Sequence, residues 1–211
     1  MYRKRNHLEL YGKDVTMKII GLTGGIGSGK STVAKVLQEK FNAYLIFTDD
    51  VAKDLMSKGQ ISYKLTVDYF GQGILDETGE IDRKKLASIV FGDKEKLEKL
   101  NSFSHPYVEE FVQNKIKELK ETNEYSIIVV ETALLLEVGY ERFCDDVWYV
   151  TAPEEVRRDR LKQSRGYSDE KIDSILKNQM SDEVFRKSCP HVLENNGPID
   201  KIEQQIQVLL V

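Results

Sequence analysis

One stretch of the chain, residues 17–41, restricts its fold more than any other. Met17-Lys18-Ile19-Ile20-Gly21-Leu22-Thr23 is apolar on alternate and adjacent positions alike, as a strand buried on both faces of a parallel sheet must be. Gly24-Gly25-Ile26-Gly27-Ser28-Gly29-Lys30-Ser31 follows and fits G-x-x-x-x-G-K-[ST] at every fixed position. Residues 31–41 then repeat apolar side chains at helical spacing. The fixed letters alone arise by chance in roughly 1% of chains of this length, before a strand and a helix are required around them.

That arrangement has a direct chemical meaning. The glycines let the backbone curl so that the amides of Gly25, Ile26, Gly27, Ser28 and Gly29 face one concavity, and the following helix adds the field of its N-terminus. A nucleoside triphosphate, here ATP, fits such a cradle. Lys30 is expected to reach the β- and γ-phosphates, Ser31 to ligate Mg²⁺ and Thr32 to add phosphate hydrogen bonds.

Three more strand-length apolar runs, at 43–47, 126–130 and 146–150, alternate with helical patterns at 97–120, 153–162 and 168–187. Alternation of this kind predicts an α/β fold with a parallel sheet and helices on both faces. Residues 50–125 interrupt the rhythm with helical patterns and almost no strand signal, which reads as a helical insertion able to close over a substrate. At 211 residues, without repeats or a Pro- or Ser-rich linker, residues 17–211 are expected to form a single domain. Residues 1–16 are polar and aperiodic and read as a disordered extension, or as the product of a start upstream of a true initiator at Met17.

A phosphate loop alone does not separate a kinase from a GTPase or a mechanical ATPase. The nearest approach to a guanine-recognition motif, Asn114-Lys115-Ile116-Lys117, lacks its acid. Phosphoryl transfer to a small molecule needs a carboxylate beside the acceptor hydroxyl. Asp49 and Asp50 lie just past the second strand, at the edge where such sheets bind ligands; the plain alternative is a helix cap with an acidic first turn. Glu131 ends the third run, where it would either hold Mg²⁺ through water or serve as an ion-paired or capping residue. Arg157, Arg158, Arg160 and Arg165 follow the fourth run, able to neutralise phosphoryl charge from a lid at 160–170 or to form a solvated face. His105-Pro106 opens a helix, and His105 reads either as a local hydrogen-bonding group or as part of a site.

Composition excludes several other functions. A net charge of −4 argues against nucleic-acid binding by phosphate neutralisation, and no apolar run is long enough for a membrane span, so the cytoplasm is the expected address. Cys144 and Cys189 match no metal spacing and are expected to stay unpaired.

Taken together these residues resemble the dephospho-CoA kinase family over nearly all of residues 17–211. The stretch 21–32 looks like that family's version of the phosphate loop, and Phe47-Thr48-Asp49-Asp50-Val51-Ala52 is similar to its Asp-Ala-Asp-x-x-Ala segment, with Phe47 in place of the first acid. Residues 81–91 resemble its Arg-x-x-Leu-Ala-x-x-Val-Phe stretch, and Glu131-Thr132-Ala133-Leu134-Leu135-Leu136-Glu137 its Pro-Leu-Leu-x-Glu motif, with Ala133 replacing proline. Arg160-Leu161, Gln179-Met180 and Asn195-Asn196-Gly197 also match, whereas Arg165 falls one residue late. The resemblance implies a P-loop kinase fold with a sheet of about five strands. It implies Asp49 as catalytic base, Lys30 and Arg160 as charge stabilisers, and Ser31 with Glu131 at the metal. It also implies nucleotide contacts from Arg160, Asn195, Asn196 and Gly197, and contacts to dephospho-CoA from Arg83, His105, Leu134 and Leu135. No obligatory protein partner is expected. The rivals are a kinase of another small acceptor on the same fold, and a nucleotide-gated binding module.

Overall fold

The computed structural model describes residues 17–211, and the reading of residues 1–16 lies outside them. Strands β1 (Lys18–Thr23), β2 (Ala43–Phe47), β3 (Ile127–Glu131), β4 (Asp146–Thr151) and β5 (His191–Glu194) form one parallel sheet in the order β2-β3-β1-β4-β5. The helices are α1 (Lys30–Phe41), α2 (Thr48–Leu55), α3 (Ile61–Phe70), α4 (Arg83–Val90), α5 (Lys94–Ser102), α6 (His105–Thr122), α7 (Glu154–Arg165), α8 (Asp169–Lys177), α9 (Asp182–Ser188) and α10 (Ile199–Leu210).

Side-chain alternation along the strands supplies two cores. Ile20, Leu22, Val129, Trp148 and Val150 face Val33, Ala34, Val36 and Leu37 of α1 and Ile202 and Ile206 of α10. Ile19, Ile128, Val130 and Tyr149 face the other way, onto α6 and the segment after β3. On α6 the buried residues are Val108, Val112, Ile116 and Leu119, a spacing of three and four that puts them on one stripe. Each such side chain contributes about 1.5–3 kcal/mol on burial, which fixes the sheet between its two helical layers.

The central position of β1 sets the location of the site. Its neighbours are β3 on one side and β4 on the other, so the connections diverge at its C-terminal end and leave a crevice there. Register brings the relevant ends level: Leu22 pairs with Glu131, and Glu131 with Phe47. The loop after β1, the first turn of α2 and the end of β3 therefore open on the same edge.

Between β2 and β3 the chain runs through α2 to α6, with an isolated antiparallel bridge between Leu75 and Ile81. His105-Pro106 does open a helix, so the helical pattern at 97–120 falls into two: Pro106 has no N–H to offer the Ser102 carbonyl, and α5 ends before α6 begins at His105. The segment 168–187 also divides, and Ser181 accepts a hydrogen bond from the Val184 amide to start α9 afresh. The fifth strand is only four residues long and carried no distinct sequence signal. Cys144 and Cys189 are both free, and burial pushes their thiols up to about 12 and about 11.

Candidate active site

The phosphate loop joins β1 to α1 and needs glycine for two reasons. Gly27 and Gly29 hold φ of 76° and 89°, where a Cβ would be strained. Gly25 and Gly29 also lie so close to Arg157 and Asn195 that a side chain at either would collide with them. Helix α1 has no side-chain cap, so its first amides are free to meet an anion.

Lys30 Nζ donates to the Gly24 carbonyl at 2.8 Å and lies 3.9 Å from Glu131 Oε1. Both side chains are mostly out of solvent, at 13% and 14% exposed. Burial pushes the Lys30 ammonium below its ordinary value, against the opposing fields of Glu131 and Asp49. It pushes the Glu131 carboxyl up, opposed by Lys30 and reinforced by Asp49 and Asp50. For each partner desolvation outweighs the pairing, so the pair is held at electrostatic cost and is poised to exchange partners when phosphate and cation arrive.

Asp49 sits in the exposed first turn of α2, which has no side-chain cap, close enough for both Lys30 and Glu131 to feel its charge. Asp50 pairs with Lys53 at 2.5 Å, with 63% of its side chain exposed, and its charge too is felt at Glu131. Of the alternative reading, the cap fails, because neither carboxylate caps α2, and the acidic first turn holds, because both stand in it; Asp50 also forms a solvent-side ion pair. Ser31 and Thr32 are exposed at the start of α1. No group of three or more His, Cys, Asp or Glu side chains forms a metal cage among the described residues. An oxygen set limited to Ser31 and Glu131 suits Mg²⁺, which keeps several waters and takes the rest of its shell from phosphates.

Behind the loop the structure departs from expectation. Arg160 directs Nη1 to the Ser28 carbonyl at 3.2 Å and Nη2 to the Asn195 carbonyl at 2.9 Å. Asn195 is 4% exposed and its Nδ2 donates to the Ser28 carbonyl at 2.8 Å. Both residues therefore brace the outside of the loop, while Asn196 and Gly197 lie exposed in the bend that follows β5. Arg157 was one of four candidate arginines, and it is the one that reaches the loop tip: its Nε donates to the Ile26 carbonyl at 2.9 Å. Gln179 Oε1 accepts from the Ile26 amide at 3.1 Å. Its position beside Met180 had matched a pattern, but nothing in one sequence connects residue 179 to residue 26. Arg158 pairs with Glu154 within α7 and ties α7 to α8 through Asp169 and Asp173, and Arg165 stands near enough to lower the Lys30 pKa.

On the insertion side, His105, Pro106, Asn101, Glu109, Leu134 and Tyr140 are among the lining of a cavity of about 430 Å³. Leu134 is 46% exposed there. Burial lowers the His105 pKa from 6.5. Leu135 does not belong to this site: it is fully buried in the core beside Gly21, because the turn after β3 directs it inward, as it does Thr132 three residues earlier. Arg83 begins α4 on an exposed surface, outside the lining of that cavity.

A parallel sheet of this order, a phosphate loop leaving its central strand and carboxylates at the ends of two neighbouring strands together define the P-loop kinase fold. Sequence comparison narrows the class. A family model described as dephospho-CoA kinase matches residues 18–201. A dephospho-CoA kinase of Carboxydothermus hydrogenoformans is 41% identical over 196 residues, covering 93% of this chain and 94% of its own. A solved Thermus thermophilus protein is 31% identical with a TM-score of 0.78, covering 92% of this chain and 96% of its own. The dephospho-CoA kinase from Campylobacter jejuni is 25% identical with a TM-score of 0.66 over 92% of this chain and 96% of its own. The chain belongs to the dephospho-CoA kinase family.

Proposed function

We propose that this protein transfers the γ-phosphoryl group of ATP to the ribose 3′-hydroxyl of dephospho-CoA, giving coenzyme A. The observation that carries the reading is the meeting of Lys30, Glu131 and Asp49 at one sheet edge, three charges from three elements around an uncapped helix N-terminus.

In this reading the loop amides and Lys30 hold the triphosphate, and Lys30 leaves Glu131 for the β- and γ-phosphates as they bind. Ser31 and Glu131 would hold Mg²⁺, which would supply positive charge against the triphosphate. Asp49 is open to the crevice and orients the acceptor hydroxyl, accepting its proton as the phosphoryl group departs from ADP. His105, from the insertion at 50–125 that closes over the acceptor, and Leu134, from the turn after β3, contact it, and the segment 160–170 acts as the lid. The insertion and the segment after β3 together line an open cavity of about 430 Å³, room for part of a large acceptor. The reaction is assigned to the cytoplasm; among the described residues no helix is long and apolar enough to cross a membrane.

A coupled ADP-release assay tests the assignment. ADP release should rise steeply when dephospho-CoA is added and should not rise with shikimate or nucleoside monophosphates. Turnover indifferent to dephospho-CoA would remove the reading.

A further inference from the structure

The tip of the phosphate loop is held from one side only, by the helical arm that follows β4. Ile26 offers one amide and one carbonyl, and both are engaged: the carbonyl by Arg157 Nε at 2.9 Å and the amide by Gln179 Oε1 at 3.1 Å. The guanidinium and the Gln179 oxygen both lie against Gly25, whose lack of a side chain admits them. The charge of Arg157 is felt at Lys30.

Gln179 reaches the tip because its segment is anchored. It sits between α8 and α9, three residues before Asp182. Asp182 Oδ1 accepts from the Tyr149 hydroxyl at 2.7 Å and from the Thr151 hydroxyl at 3.0 Å, which fastens the start of α9 to the end of β4. Arg157 is carried by α7, which also follows β4. Two side chains distant in sequence thus clamp a single residue of the loop, both referenced to the strand beside β1.

We infer that Arg157 and Gln179 are positioning residues, a clamp that fixes the two peptides on either side of the Ile26 Cα so that the neighbouring loop amides are already aimed when a nucleotide diphosphate moiety arrives. A cradle of amides binds an anion well only when its geometry is set in advance, since otherwise each dihedral must be ordered on binding. The inference deepens the nucleotide-binding part of the proposed function and does not depend on the identity of the acceptor.

The test is titration of Mg·ADP into the wild type and the variants Arg157→Ala, Gln179→Leu, Gln179→Glu and the Arg157→Ala/Gln179→Leu double variant, with melting temperatures and the kcat and KM for ATP alongside. Each of the first two should weaken ADP binding about tenfold, the scale of one lost hydrogen bond to a preorganised group. Gln179→Glu keeps an acceptor for the Ile26 amide and should restore most of that loss. The loss in the double variant should be less than the product of the two, because both act on one residue. Melting temperatures should differ little, and KM for dephospho-CoA should stay within twofold. Wild-type affinity for ADP in Gln179→Leu, or equal weakness in Gln179→Leu and Gln179→Glu, would overturn the clamp. So would strict multiplication of the single effects, or weak binding that merely tracks a fall in melting temperature. A wild type that binds ADP but ignores dephospho-CoA would refute the proposed acceptor and leave the clamp intact.

Discussion

The phosphate loop and the helical insertion face one another across the same crevice, yet they are built in opposite ways. The loop is gripped by Asn195 and Arg160 from outside, by Arg157 and Gln179 at its tip and by Lys30 from within. The insertion has little beneath it: α5 buries no residue, α4 buries only Leu86, and Phe91 is 85% exposed. Its firm attachment is α6, whose apolar stripe packs on the sheet. A region with few buried apolar contacts opens at low free-energy cost, whereas a loop held at every turn does not. The contrast suits the chemistry: the phosphate end must be set before binding, and the acceptor end must admit and release a large molecule.

The sharpest break in that contrast comes from Lys30→Ala, which should reduce phosphoryl transfer by at least about 10³-fold while leaving the melting temperature nearly unchanged, since the side chain acts on a ligand. Steady-state turnover with a thermal melt decides it, and activity within tenfold of wild type would detach the loop from catalysis. Next in size, Asp49→Asn should lower kcat by about 10² to 10⁴-fold with little change in KM for dephospho-CoA. Asp50→Asn loses only a solvent-side ion pair and should stay within about twofold. If Asp50→Asn proves the more damaging, the base is the neighbouring carboxylate and the geometry of α2 has been misjudged.

Two adjacent leucines separate core from cavity. Leu135→Ala leaves a cavity beside Gly21 and should cost about 2–5 kcal/mol in denaturant unfolding, with KM unaffected in the protein that remains folded. Leu134→Ala should change stability by no more than about 0.5 kcal/mol and raise KM for dephospho-CoA roughly tenfold. Exchange of those two outcomes would mean that the turn after β3 presents the opposite face.

The smallest effect concerns His105. Burial holds its imidazole below the ordinary 6.5, so the unfolded chain binds the proton more readily and stability is lost as pH falls below about 6.5 toward the folded-state value. Melting temperature should therefore drop less between pH 7 and 5 in His105→Asn than in the wild type, and parallel curves would show that His105 titrates as it does in the unfolded chain. Glu131 works in the opposite sense, because a raised carboxyl pKa favours the folded state as pH falls, and the comparison of variant with wild type cancels it.

The local sequence by itself determined the elements whose physics is local. A glycine pattern that only a phosphate loop needs, apolar runs buried on both faces and the spacing of Val108, Val112, Ile116 and Leu119 are all readable within about 18 residues. Asp49 and Glu131 were legible for the same reason, since strand ends in an alternating α/β chain share one edge. Tertiary structure alone decided which side chains turn toward that edge. Leu134 and Leu135 are neighbours with identical chemistry, and only the turn after β3 sends one to the cavity and the other to the core. Arg157 and Arg160 lie one helical turn apart, and only the docking of α7 against the loop gives the first the tip and the second the outer carbonyls. Gln179 is 153 residues from Ile26, a separation across which no local propensity acts, so their hydrogen bond exists because β4 anchors Asp182 and the sheet brings β4 beside β1.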